Sequence, residues 1–461
     1  MVPEGGTGEA SSAGDTGIGG GVDGSVGGSG GALVSSDGGA GGKSGLGGGA
    51  AAVGGTAGCV GARPPRVRFV APYIALANHP TTLIVRGKNL DASGPLVKLN
   101  IGATQAGPVA ADSDTQVTVQ VPALPAGRYP VSVEGSNCSE AELVVLAPPA
   151  LGYHAISTAG RRERLLWDAE RQTIYAVNRT DQRIERYRYS APDWTTLAPF
   201  AVPDLTDIAL APNGRSLLVS SPGALSEVQL DEEPLVAVLR AVNPDPSTAA
   251  FDTLNMTNDG SVFVVTSSHY SGFGVSYLYD MNDGSLARNV DGDLSSGFAG
   301  VSADGSRVYA GSNAVSPAQP VKIFDAFSHD IVEAAPAYDL RSVSASSNAS
   351  RVILQDVDVY TRDLSLLGHL PPNAGALASF DSSRAFVFGE SGAGAQLVVH
   401  DLNAPLGVGD VYPLVKEIDV PDSFSVASGA RIAFTGTPDD SVVFVSGDNN
   451  ILVVPVENAQ Q

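Results

Sequence analysis

The residues of this chain whose types and placement come nearest to a binding constellation are Arg164, Asp207, Asp252, Arg341 and Arg431. Each stands at the start of an apolar run that recurs through the C-terminal two thirds of the sequence. Charges of both signs gathered on one rim would clamp a polar ligand such as a saccharide or a peptide. The same charges could also pair with one another and do no more than hold neighbouring elements together. The sequence leaves both readings open.

Other reactive groups carry less. The six histidines, His79, His154, His269, His329, His369 and His400, fall at no dyad or metal-ligand spacing. No Gly-x-Ser-x-Gly elbow sits at a strand-to-helix turn, and no helix is predicted to receive one. Gly272-Phe-Gly274 lies between strands, so it is a loop and not a phosphate cradle. The acidic pairs Asp291/Asp293, Asp356/Asp358 and Asp439/Asp440 offer oxygens of the kind calcium takes, yet none completes an alternating EF-hand loop. The expectation is therefore no cofactor, with calcium as the one candidate ion. Cys59 and Cys138 are the only cysteines, 79 residues apart, which is neither a closed zinc site nor a redox motif. They form either one disulfide, pinning the glycine-rich segment to the first folded domain, or two unrelated thiols. Thr56-Ala-Gly-Cys59 resembles the end of a lipoprotein acylation box, but Thr replaces the usual Leu and no apolar run precedes it.

The elements that must position these residues follow from a repeat. An apolar run, a polar turn and a β-rich run recur seven times, as in Leu210-Ala-Pro-Asn-Gly-Arg-Ser-Leu-Leu218 and Val301-Ser-Ala-Asp-Gly-Ser-Arg-Val-Tyr309. The aligned turn residues Arg171, Gly214, Gly260, Gly305, Ala349, Ser383 and Asp440 are 43, 46, 45, 44, 34 and 57 residues apart. A period near 45 filled only with strands is what a four-stranded propeller blade requires. Asn213-Gly214, Asp259-Gly260 and Asp304-Gly305 supply the positive φ of tight hairpins. The last copy runs out after Ile451–Val456, while Tyr153–Ser157 has no partner of its own. That early segment is expected to complete the last blade and close the ring, leaving no free edge. Six or eight blades remain the alternative. Third strands ending in Asp, such as Val321-Lys-Ile-Phe-Asp325, resemble those of YVTN-type and WD-repeat propellers. Some such propellers resemble lactone hydrolases, which need acidic, Asn and His groups around a metal; no such set stands at the inner-strand starts.

Upstream lie two different segments. The first sixty residues hold 24 of the 54 glycines and no aromatic, so they cannot bury enough surface to offset their ordering entropy. They are expected to be a disordered stalk. Between Arg66 and Pro148, short alternating strands are separated by turns at the spacing of a small sandwich. The run Val70-Ala-Pro72, Thr82-Leu-Ile-Val-Arg-Gly-Lys-Asn-Leu90, Ile101-Gly102, Pro122 and Gly127-Arg-Tyr-Pro-Val-Ser-Val133 resembles an IPT/TIG domain. That resemblance implies an immunoglobulin-like fold serving as a spacer or carbohydrate-contacting module. Asn78-His79-Pro80 departs from the glycines usual before the second strand.

Net charge is −22, spread along the chain, which disfavours nucleic acid and anionic lipid surfaces. No run of 18 apolar residues would span a bilayer. The start at Met1 lacks the basic and apolar regions of a signal peptide. A glycine-rich stalk followed by all-β modules nonetheless suits a secreted or surface-tethered protein, and the true start is expected upstream. The sequence thus predicts an all-β chain: a disordered linker over 1–61, an IPT/TIG sandwich over 62–148 and a seven-bladed propeller over 149–461. The function expected is non-catalytic: a monomer binding a glycan or protein at the cell surface. The competing class is a hydrolase or lyase acting in the axial channel.

Overall fold

The computed structural model describes residues 64–456, apart from 93, 137, 248, 269–273, 295–296, 313–318, 339, 392–393, 422–423 and 427–431. Cys59 and Arg431 lie outside the described residues, as do His269 and the expected stalk. The chain described is all-β.

Eight strands make the sandwich: β1 Arg66–Ala71, β2 Ile74–Leu76, β3 Thr81–Lys88, β4 Val97–Ile101, β5 Thr104–Val109, β6 Gln116–Val121, β7 Gly127–Val133 and β8 Glu142–Leu146. They form two sheets, β1-β3-β6 and β2-β8-β7-β4-β5. Alternation decides which side chains go inside, since successive residues of a strand face opposite ways. In β6, Val117, Val119 and Val121 are buried while Thr118 and Gln120 are exposed. The same rule sends Leu83, Val85, Leu99, Ile101, Val131, Leu143 and Val145 into one apolar core. Cys138 is buried near the edge of this domain.

The rest of the described chain forms seven four-stranded sheets. Their innermost strands are Arg164–Asp168, Asp207–Leu210, Ala249–Met256, Phe298–Val301, Val343–Ala345, Gly375–Ala378 and Phe434–Gly436. Burial peaks at the second strand of the first, fifth and seventh blades. In the first, the second strand Thr173–Asn178 is buried at every residue, whereas the outermost, Asp193–Ala201, has no buried residue. A second strand has a neighbouring blade on both faces, so it reads as a continuous apolar run rather than an alternating one. The seventh blade is closed from the front of the chain. β9, His154–Ser157, pairs antiparallel with Asn450–Pro455, placing Ile156 opposite Ile451. Ile156 and Ile451 join Trp167 and Phe444 in the cluster that joins the seventh blade to the first.

Around one mouth of the ring, the hairpin turns hold hands. Asn258 N–H donates to Gly305 O (2.9 Å), Asp304 N–H to Ser347 O (3.1 Å) and Ser347 N–H to Phe380 O (3.0 Å). Arg171 Nη1 reaches Gly214 O at 2.7 Å. The turn glycines have a second duty here, because the sandwich sits on them. A Cβ at Gly214 would stand 2.3 Å from the Tyr73 ring, and one at Gly260 would stand 2.6 Å from Phe69. Both glycines also have positive φ, +66° and +86°. We expect Gly214→Ala to cost about 1–3 kcal/mol, from left-handed backbone strain plus the clash. The check is thermal melting of Gly214→Ala against Gly214→Ala/Tyr73→Ala. If the clash matters, the double variant loses less than the two single losses added together.

Candidate functional site

Four of the charged residues singled out above, Arg164, Asp207, Asp252 and Arg341, are among the described residues. Arg164 opens the inner strand of blade one and its Nε lies 3.9 Å from Asp207 Oδ1, at the start of blade two. Asp207 is buried, and its Oδ2 accepts the backbone N–H of Leu254 in blade three at 2.9 Å. Asp252 pairs with Arg179 Nη2 at 3.2 Å, and Arg179 Nε donates to Thr206 O at 2.8 Å. Arg341 is exposed, and its backbone N–H donates to Gln355 Oε1 at 3.0 Å. The structure therefore brings Arg164 to Asp207, holds Asp252 through an arginine the sequence reading did not name, and leaves Arg341 facing solvent. Arg179 follows a second strand within Asn178-Arg-Thr-Asp181, a segment with nothing in its local pattern that points across to another blade.

Behind this rim runs a cavity of about 370 Å³ lined by Leu166, Leu210, Leu254, Met256 and Val301 of the inner strands. Pro72 and Tyr73 of the sandwich line it as well, beside the hairpin turns. The channel thus meets the β1–β2 turn at one end and the Arg164 rim at the other. Burial pushes the Tyr73 hydroxyl well above its ordinary pKa, and its oxygen is buried without a hydrogen-bond partner among the described residues. Docking also uses polar contacts. Arg215 Nη2 donates to Glu142 Oε2 (2.8 Å), Arg128 pairs with Glu170, and Arg86 Nε donates to Asn258 Oδ1 (3.1 Å).

His329, His369 and His400 belong to three different blades. His369 Nδ1 lies 2.6 Å from Asp358, His329 Nε2 lies 2.5 Å from Asp259, and His400 is buried against Tyr412 O. Hydrogen bonding to Asp259 raises the His329 pKa, while burial lowers that of His400. Among the described residues, no group of three or more His, Cys, Asp or Glu side chains is placed to hold a metal ion. The acidic pairs act in turns and between blades: Asp356 Oδ1 accepts Ala376 N–H, and Asp440 accepts Phe380 and Asp381 N–H. The side chains of Asp291 and Asp293 lie outside the described residues.

Residues 65–145 match the IPT/TIG domain family. That match covers the sandwich alone. No curated protein matches the chain in sequence. Among solved structures, an oligogalacturonate lyase in complex with manganese is 12% identical, with 68% of this chain and 98% of that one covered and a TM-score of 0.49. Oligogalacturonate lyase from Vibrio parahaemolyticus is also 12% identical, covering 78% and 97% at a TM-score of 0.45. TolB from Acinetobacter baumannii is 12% identical over 65% of each chain, at a TM-score of 0.32. These similarities concern the propeller architecture. Among the described residues, no helix is long and apolar enough to cross a membrane.

Proposed function

We propose that the chain is a non-catalytic binding protein, acting outside the cytoplasm, whose propeller presents the Arg164 rim to a glycan or protein. One observation carries this reading: the sandwich occupies the turn side of the ring, so the rim that carries charges of both signs is the mouth left for a ligand. Arg164 and Asp207 stand 3.9 Å apart, beyond hydrogen-bond distance, and Arg341 is exposed. Donors and acceptors placed this way suit a polar ligand better than an apolar one. Arg431, outside the described residues, is proposed for the same rim. A Cys59–Cys138 disulfide belongs to the same proposal, since it would tie the stalk to the sandwich whose seat aims the rim outward.

Glycan-array and peptide-array screening of the full chain, with Arg341→Ala alongside, tests the proposal. The expected result is saturable binding that Arg341→Ala weakens about tenfold, as for loss of a charge-assisted hydrogen bond, with melting unchanged. Binding untouched by Arg341→Ala and Arg164→Ala overturns the assignment of the rim. Cleavage of the bound glycan overturns the non-catalytic reading.

A further inference from the structure

A second concave site lies between the outer face of sheet β1-β3-β6 and the turns of blades four and five, a groove of about 480 Å³. That volume is in the range of small-molecule sites. Its back wall holds Arg86, only 5% exposed. Taking a guanidinium this far out of water is costly unless it is paired. Arg86 nevertheless makes no ion pair among the described residues: Nε donates to the neutral Asn258 Oδ1, and the group lies 5.6 Å over the Phe327 ring.

The surrounding carboxylates are already engaged by other groups. Asp304 accepts Ser302 Oγ (2.7 Å) and Ser306 N–H (2.9 Å). Asp325 accepts Arg307 Nε (3.2 Å) and Phe327 N–H (2.8 Å). Asp112 takes Gln116 Nε2 and Thr118 Oγ1, and Asp259 takes His329 and Thr257 Oγ1. Arg362 also lines the groove. Its Nη2 is 3.7 Å from Asp325, and its Nε is buried with no hydrogen-bond partner among the described residues. The groove wall thus carries two arginines, Arg86 and Arg362, and two aspartates, Asp304 and Asp325, whose carboxylates already accept hydrogen bonds from other groups. Phe327 adds a ring that is 45% exposed.

We infer that this groove is a binding site for a small carboxylate carried on a ring, of which a hexuronic sugar is the polyhydroxylated form. The carboxylate accepts from Arg86 and Arg362, and the ring face lies on Phe327. Planar guanidinium and carboxylate groups match in a way that a lone hydroxyl does not.

Ligand-observed saturation-transfer NMR on the full chain tests this, with D-glucuronate, its methyl ester and D-glucose as probes. Saturable binding of glucuronate is expected, at least about tenfold weaker for the ester and for Arg362→Gln, whose melting should match the wild type. Arg86→Gln should weaken binding as well, but Arg362→Gln is decisive because Arg86 also seats the sandwich. Arg164→Ala, at the other mouth, should change nothing. The inference is overturned if about 10 mM glucuronate gives no saturable signal. It is also overturned if ester and acid bind alike, or if Arg164→Ala abolishes binding that Arg362→Gln leaves intact.

Discussion

Glu185→Gln is expected to cost about 3–5 kcal/mol of folding stability, because it strands a buried cation. Arg162 is 1% exposed and Glu185 5% exposed. Arg162 Nε donates to Glu185 Oε2 at 2.6 Å, Tyr187 Oη donates to the same oxygen at 2.6 Å, and Asn178 Nδ2 and Arg183 Nη2 donate to Oε1 at 3.0 and 2.8 Å. Burial alone would push this carboxyl up, but the hydrogen bonds from Arg162, Tyr187, Asn178 and Arg183 hold it down at about 2. Glutamine puts an NH₂ where one of those oxygens stood, donor against donor, and removes the charge that Arg162 needs. The damage falls on the ring's closure, since Arg162 N–H also donates to Ser446 Oγ of the seventh blade at 3.1 Å. Because the folded pKa lies below the usual carboxylate value, the stabilisation is present above about pH 4.5 and fades as pH falls toward 2. Denaturant melts at pH 7 give the size. The double variant Arg162→Met/Glu185→Leu should recover much of the loss, because it removes both charges at once. A loss below about 1 kcal/mol for Glu185→Gln would mean that water already reaches Arg162.

The ring itself was legible because blades repeat. A period near 45 residues survives sequence drift, and the early strand's lack of a partner pointed to β9 closing the last blade, as the antiparallel pairing of Ile156 with Ile451 bears out. Two sandwich strands escaped the pattern. β2 has three residues and pairs parallel to β8, too short to show a period. β5 contains Gly107-Pro108, which argues against a strand, and it is tolerated because β5 is the edge of its sheet, paired with β4 alone. Turn glycines were read for their φ, which is a local property. That Gly214 and Gly260 must also lack a Cβ beneath Tyr73 and Phe69 depends on how two domains meet, and no spacing along the chain encodes that. The rim shows the same division. Arg164 and Asp207 do open inner strands, whereas Asp252 lies three residues inside Ala249–Met256, Arg341 precedes Val343–Ala345, and the Arg179–Asp252 pair joins residues 73 positions apart. The groove around Arg86 was invisible for the same reason: its walls come from two domains.

Asp440→Asn is expected to flatten the pH dependence of stability between pH 5 and 8. Asp440 sits in the turn of blade seven at the left-handed φ of 55°, and its carboxyl spans to blade six, accepting Phe380 N–H at 2.7 Å and Asp381 N–H at 3.1 Å. Burial pushes its pKa up to about 7, against the opposing pull of those two N–H groups. The folded pKa is thus above the unfolded value of 3.8, so the folded chain holds the proton more tightly. Stability from this group is fully present below about pH 4 and is lost as pH rises through 7, by about 3 kcal/mol between pH 5 and 8. Other groups titrate in this window. His329, raised by Asp259, changes stability in the same sense, and His400, lowered by burial, in the opposite sense. The difference between wild type and Asp440→Asn removes both, because neither contacts Asp440. The amide meets one N–H with its own NH₂ and loses about 1 kcal/mol at every pH. The variant should therefore be the weaker protein at pH 5 and the stronger one at pH 8. Parallel stability curves would show instead that the two backbone donors keep Asp440 ionised throughout, with burial the lesser effect.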